Sequence, residues 1–221
     1  MQNNLKIYII LFINLFIGVT GYAQFKVGLQ AGGGISNYVG KDFPPDNEPK
    51  SGITGGFFFE REINLTLSIG AELNFEEKGA FYQYEPRLGT TVKVDGRLSY
   101  ITMPVYTKAY FGKQANYYIY MGVAGSYLAK CESTDFTTEN GFEISSDPYF
   151  PYSYNSLDAA VIGGLGINFF RIVVDVRYEH GVVNIYGGHN VPSIRNSFIS
   201  STLGFVLYKK KVISCFNNRV Y

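Results

Sequence analysis

The chain has 221 residues, a net charge of about +1, 17% charged and 17% aromatic residues, 25 glycines and no tryptophan. Near-neutrality excludes an electrostatic case for nucleic acid or acidic substrates. Charge below the ~25% usual in soluble domains, with abundant Tyr, Phe and Gly, points away from a helical enzyme and toward packed strands.

The first 23 residues stand apart. Lys6 follows a polar start, residues 7–19 are apolar except for Asn14, and Gly21 and Ala23 supply small side chains before Gln24. That pattern predicts a signal peptide over 1–23, cleaved before Gln24. The apolar run is short of the ~20 residues of a membrane helix. The barrel is predicted over 24–208, and 209–221 form a periplasmic C-terminal tail.

From Gln24 the chain reads in twos, the period of a strand whose side chains alternate between faces. The first strand, 25–36, sets Phe25, Val27, Leu29, Ala31 and Ile35 against Lys26, Gln30 and Ser36. A polar, Pro-containing loop follows over 41–50. The second strand, 53–61, sets Phe57 and Phe59 against Glu60, with Phe58 off pattern. The third opens with LTLSIGAELN at 65–74, whose Leu65, Leu67, Ile69, Ala71 and Leu73 oppose Thr66, Ser68, Gly70, Glu72 and Asn74. Residues 79–96 read as a longer connection whose flanks could extend the neighbouring strands.

The fourth strand, 97–111, sets Ile101, Met103, Val105, Ala109 and Phe111 against Tyr100, Thr102, Tyr106, Lys108 and Tyr110. Pro104 inside it predicts a bulge, because proline lacks a ladder donor. The fifth, 117–130, is followed by the longest loop, 131–155. The sixth (156–169), seventh (172–185) and eighth (196–208) are separated by a tight turn at 170–171 and a moderate loop at 186–195.

Connections therefore alternate long and short. Eight long strands with all short turns on one side predict an all-β, eight-stranded antiparallel up-and-down transmembrane β-barrel in the bacterial outer membrane, with both chain ends periplasmic. Its apolar face meets lipid. The inward polar network of Glu60, Glu72, Lys108, Asp175, Arg177 and Glu179, with Lys26, Glu76 and Asp158, fills an interior just wide enough for side chains. Glu72 and Lys108 are expected as cross-strand partners, with Arg177 reaching Glu72 or Glu60. Phe111, Tyr117, Tyr118, Phe169 and Phe170 flank short turns as interface girdles. Tyr149, Phe150, Tyr152 and Tyr154 in the longest loop are candidates for an external binding surface. Cys131 and Cys215 are expected at opposite ends of the barrel, too far apart to pair.

Particular stretches carry a family resemblance. FKVGLQAG at 25–32, YITMPV at 100–105 leading to KAYFG at 108–112, YMGVAG at 120–125 and RYEHGVVNI at 177–185 together resemble the PorT-like outer membrane β-barrel family. The resemblance implies an outer-membrane location and a barrel fold. Two departures are Thr102, where members carry an acid, and the tail after Tyr208.

No metal-ligand spacing, cofactor motif or catalytic constellation is read, so the chain is expected to be no enzyme and to need no cofactor. The leading reading is a plugged monomeric barrel, structural or docking through its external loops. Its partners are outer-membrane lipid and other envelope proteins, with no nucleic acid. The alternative is a narrow pore for ions or very small solutes. A rim enzyme on lipid A, pairing His180 with Ser197, is less favoured.

Overall fold

The computed structural model describes residues 24–41, 47–87, 90–112, 116–139, 142–145, 153–188 and 193–209. The expected signal segment, Cys215, Tyr149, Phe150 and Tyr152 lie outside them. The strands in chain order are β1 (Phe25–Gly40), β2 (Glu48–Glu62), β3 (Leu67–Arg87), β4 (Thr90–Phe111), β5 (Tyr117–Glu139), β6 (Phe142–Ser145), β7 (Ser153–Tyr154), β8 (Leu157–Phe169), β9 (Ile172–Gly181), β10 (Tyr186–Gly187) and β11 (Ile194–Lys209).

Eight of these close a barrel. Its order is β4-β3-β2-β1-β11-β9-β8-β5, and pairing of β4 with β5 seals the circle. Every neighbouring pair is antiparallel. Closure satisfies the backbone groups that an open edge would leave bare in hydrocarbon.

The polarity is inside-out. Met121, Leu203, Leu165 and Phe57 are 74%, 61%, 59% and 59% exposed on the outer wall, whereas Glu60, Glu76, Glu179 and Lys78 are at most 3% exposed inside. A soluble barrel would reverse those numbers. Phe58, off pattern in the sequence, points inward and is buried opposite Gly28.

Several connections differ from expectation. Residues 79–87 and 90–96 belong to strands: β3 and β4 stay paired as far as Arg87 and Thr90. The longest loop is partly strand too, since β5 runs to Glu139 and β6 folds back on it. One flank, β3 to β6, therefore stands well above the other, where β9 has 10 residues against 23 in β5. The turn after β8 is tight, with Phe170 in the left-handed region at φ 56°. Pro104 makes no bulge. Pairing of β4 with β3 lapses between Ala71–Val105 and Asn74–Thr102 without a change of register. The lapse absorbs the missing N–H, and the register shift between β4 and β5 lies at Ser99/Tyr100 instead, where Ala129 of β5 is the extra residue.

Glycines and aromatic rings meet across strands. Gly70 pairs with Tyr106, Gly164 with Tyr120, Gly166 with Tyr118 and Gly28 with Phe58. A Cβ on any of these glycines would collide with the facing ring. Gly125, on the outer wall, would meet nothing within 4 Å. Gly166→Val should therefore lower the urea-unfolding stability of the detergent-solubilised barrel by about 2 kcal/mol, the scale of overpacking. Gly125→Val should change it by less than about 0.5 kcal/mol. Equal losses in both variants would contradict ring-on-glycine packing.

Candidate functional site: the filled lumen

The inward faces of the strands bring together five buried cations, Lys26, Lys50, Lys78, Lys108 and Arg177, with six buried carboxylates, Glu60, Glu72, Glu76, Asp158, Asp175 and Glu179. The near balance matters, since a buried charge without a partner is costly. The groups lie in layers along the barrel.

At the end bearing the short turns, Lys26 contacts Glu60 at 3.1 Å and Glu62 at 2.8 Å. Lys108 reaches the other oxygen of Glu60 at 3.1 Å, and Tyr110 donates its hydroxyl to Glu60 as well. Lys209 stands 3.8 Å from Glu62. A cavity of about 400 Å³ opens at this end, its lining including Lys26, Glu60, Glu62, Tyr110 and Lys209.

In the middle layer Arg177 Nη2 lies 2.6 Å from Glu72 Oε1. Gln30 and Asn74 donate to the other Glu72 oxygen, each at 2.8 Å. Arg177 Nε also donates to the Tyr120 hydroxyl at 2.9 Å. Tyr120 and Tyr118 in turn donate to the two oxygens of Asp175, at 2.5 and 2.9 Å. The Lys108 ammonium sits 4.3 Å from the centre of the Tyr118 ring, a cation–π contact.

Above this, Lys78 is clasped by Glu179 at 2.7 Å and Glu76 at 2.9 Å. Thr102 donates to Glu76 at 2.9 Å and touches Ser126 at 3.0 Å. Asn196 donates to Asp158 at 2.7 Å and to the Tyr100 hydroxyl at 3.2 Å. An apolar cap then covers the network: Tyr38, Leu98, Tyr100, Ile185, Tyr186 and Ile194, with Leu128 and Tyr154 against it. Tyr154 and Tyr186 pair between β7 and β10, with rings 5.1 Å apart. Asn155 ties the two strands further by donating to the Asn184 and Tyr186 carbonyls.

Of the residues singled out in the sequence, Glu60, Glu72, Lys108, Asp175, Arg177 and Glu179 all line this lumen. The pairing differs from expectation at one point. Lys108 stands opposite Ser68 and bonds Glu60, not Glu72. Parity gives the face but not the register, and the β3–β4 register sets Lys108 four residues below the level of Glu72. Tyr118 is no girdle residue: it is fully buried and serves Asp175, leaving Phe111 and Tyr117 stacked outside at 5.9 Å. Tyr154 is turned onto the cap. Lys78 was missed, although its even-numbered position in β3, shared with Glu72 and Glu76, was a legible signal. Among the described residues no group of His, Cys, Asp and Glu could hold a metal ion.

A family model described as outer membrane protein beta-barrel domain matches residues 22–187. No curated protein matches the chain. Among solved structures the chain is similar to Ail, the attachment invasion locus protein of Yersinia pestis, at 12% identity, covering 82% of this chain and 98% of that one with a TM-score of 0.45. Neisserial surface protein A shows 12% identity, coverage of 81% and 96%, and a TM-score of 0.46. OprG of Pseudomonas aeruginosa shows 10% identity, coverage of 86% and 96%, and a TM-score of 0.39.

Arg177→Met leaves Glu72 buried without its counter-charge and should destabilise the barrel by about 3–5 kcal/mol. Adding Glu72→Gln should recover part of that loss, because the two changes are coupled. Urea titration of both variants in micelles measures it. Additive losses would show that Arg177 and Glu72 act independently.

Proposed function

The chain belongs to the outer membrane protein β-barrel domain family, and from that premise we propose that it is a closed, non-conducting barrel that docks envelope partners through its external surface. Membership places it in the bacterial outer membrane. Within the family, the PorT-like branch is the finer assignment, supported by the motifs at 25–32, 100–112, 120–125 and 177–185.

One observation carries the reading. The interior is crossed by Arg177–Glu72 and Lys78–Glu179 and capped by the Tyr38–Tyr100–Tyr186 cluster, which supports a plugged lumen. What remains available to a partner is the outside, where β3, β4, β5 and β6 rise farthest. In this reading the barrel acts as a monomer; pairing of each barrel strand on both sides leaves no open edge for strand addition by a second copy. In this reading the short turns at 63–66 and 170–171 face the periplasm, the usual arrangement of such barrels.

The barrel is not an enzyme in this reading. Ser197 and His180 are register partners, but the serine hydroxyl donates to Tyr178 at 3.4 Å, and Tyr178 lies 3.2 Å from His180 Nδ1. A nucleophile needs its proton aimed at a base, and here a phenol stands between.

Purified protein in planar bilayers should stay electrically silent. Stable ohmic openings would favour the narrow-pore alternative. Replacing residues 128–155 with a short turn should remove partners that co-purify from gently solubilised outer membrane while the barrel still folds; an unchanged partner set would sink the docking reading. Orientation has its own test. Cys131 is exposed above the apolar band, so in a Cys215→Ser variant a membrane-impermeant maleimide should label intact cells. Labelling only after lysis would invert the barrel.

A further inference from the structure

On the outer wall the apolar band ends between β9 and β11 in a small polar cluster. Along β9 the lipid-facing residues are Ile172, Val174 and Val176, then Tyr178 and His180. Along β11, Leu207, Phe205, Leu203 and Ile199 lead to Ser197 and Arg195. From Leu207 to Ser197 is ten residues, about 25 Å along the axis for a strand tilted ~40°, which is the height of the apolar band. Arg195 stands one step higher, where headgroups begin.

The cluster is arranged to donate. Ser197 Oγ gives its proton to the Tyr178 hydroxyl. The Tyr178 hydroxyl in turn lies 3.2 Å from His180 Nδ1, within hydrogen-bond reach. In the tautomer whose Nδ1 accepts from Tyr178, the ring proton sits on Nε2 and is the donor that a ligand can use. Arg195 is exposed on the same face and makes no ion pair among the described residues. The outward neighbours Asn37, Val39, Ala159, Val161 and Val182 include no carboxylate. The opposite flank differs. There Arg97 stands 3.9 Å from Glu77, and Lys130 is paired with Glu132.

We infer that Arg195 and His180 hold the phosphate of an outer-leaflet lipid headgroup, with Tyr178 and Ser197 fixing the imidazole and the acyl chains lying on Ile199 and Leu203 below. An unpaired guanidinium and an N–H donor at the water–hydrocarbon boundary suit a phosphate, which accepts bidentate charge-assisted bonds. The inference rests on the barrel's place in the membrane and is independent of the docking reading.

The test is native mass spectrometry of the full barrel in micelles with diphosphoryl lipid A, its dephosphorylated form, or neither. Wild type should retain the phosphorylated lipid, and Arg195→Gln should cut retention roughly tenfold, the scale of a lost charge-assisted bond. Arg195→Lys should restore part of it, and Arg97→Gln, whose arginine is already paired, should leave it unchanged. Heat-dependent gel mobility checks that each variant is folded. Equal retention of the two lipids, or undiminished retention by Arg195→Gln with His180→Ala, would overturn the site. Displacement of the lipid by excess inorganic phosphate would show a site for free anion and would overturn the lipid assignment.

Discussion

Two ion pairs join walls that are not neighbours. Arg177 and Glu179 on β9 reach Glu72 and Lys78 on β3, across the lumen, with three strands between them on either side of the barrel. In a bilayer the outer face gains little from burial, because lipid tails are as apolar as leucine. What selects one closed arrangement is the interior, where every ionised group must find its counterpart. Such pairs are weak evidence for net stability. They do impose a geometry: if the register of β3 slips by one residue, Glu72 and Lys78 turn to lipid.

The tyrosines finish what the charges begin. Tyr106, Tyr118 and Tyr120 each lie over a glycine on the adjacent strand, which brings the ring flat to the wall and carries its oxygen toward the axis. Asp175 is then held by two phenols instead of a cation. The lumen is filled by side chains that are apolar at the base and polar at the tip. The same packing explains why glycine-rich strands, unpromising in a soluble sheet, are suited to this barrel.

Function follows from where the filling stops. At one end the Tyr154–Tyr186 pair and its apolar neighbours cover the network, whereas the opposite end keeps a polar cavity. In the proposed reading, a barrel filled in this way presents surfaces rather than a path. Those surfaces are unequal among the described residues: a tall β3–β6 flank where Arg97 and Lys130 have acidic partners, and a low β9–β11 flank where Arg195 makes no ion pair.

Much of this was legible in the sequence. The two-residue period of LTLSIGAELN and its seven counterparts, with alternating connections, determined strand number, antiparallel order and which face meets lipid, because side-chain direction in a strand depends on parity alone. The same parity named Glu60, Glu72, Lys108, Asp175, Arg177 and Glu179 as inward. It could not say which partners meet, since that depends on register, and register is set by turns and bulges such as the one at Ser99/Tyr100. Hence Lys108 went to Glu60 and Arg177 to Glu72 only once the barrel closed. Nor could local pattern show that residues 79–87 and 90–96 continue as strand, or that Tyr154 folds inward. Those outcomes depend on contacts between segments far apart in the chain, which only the tertiary structure brings together.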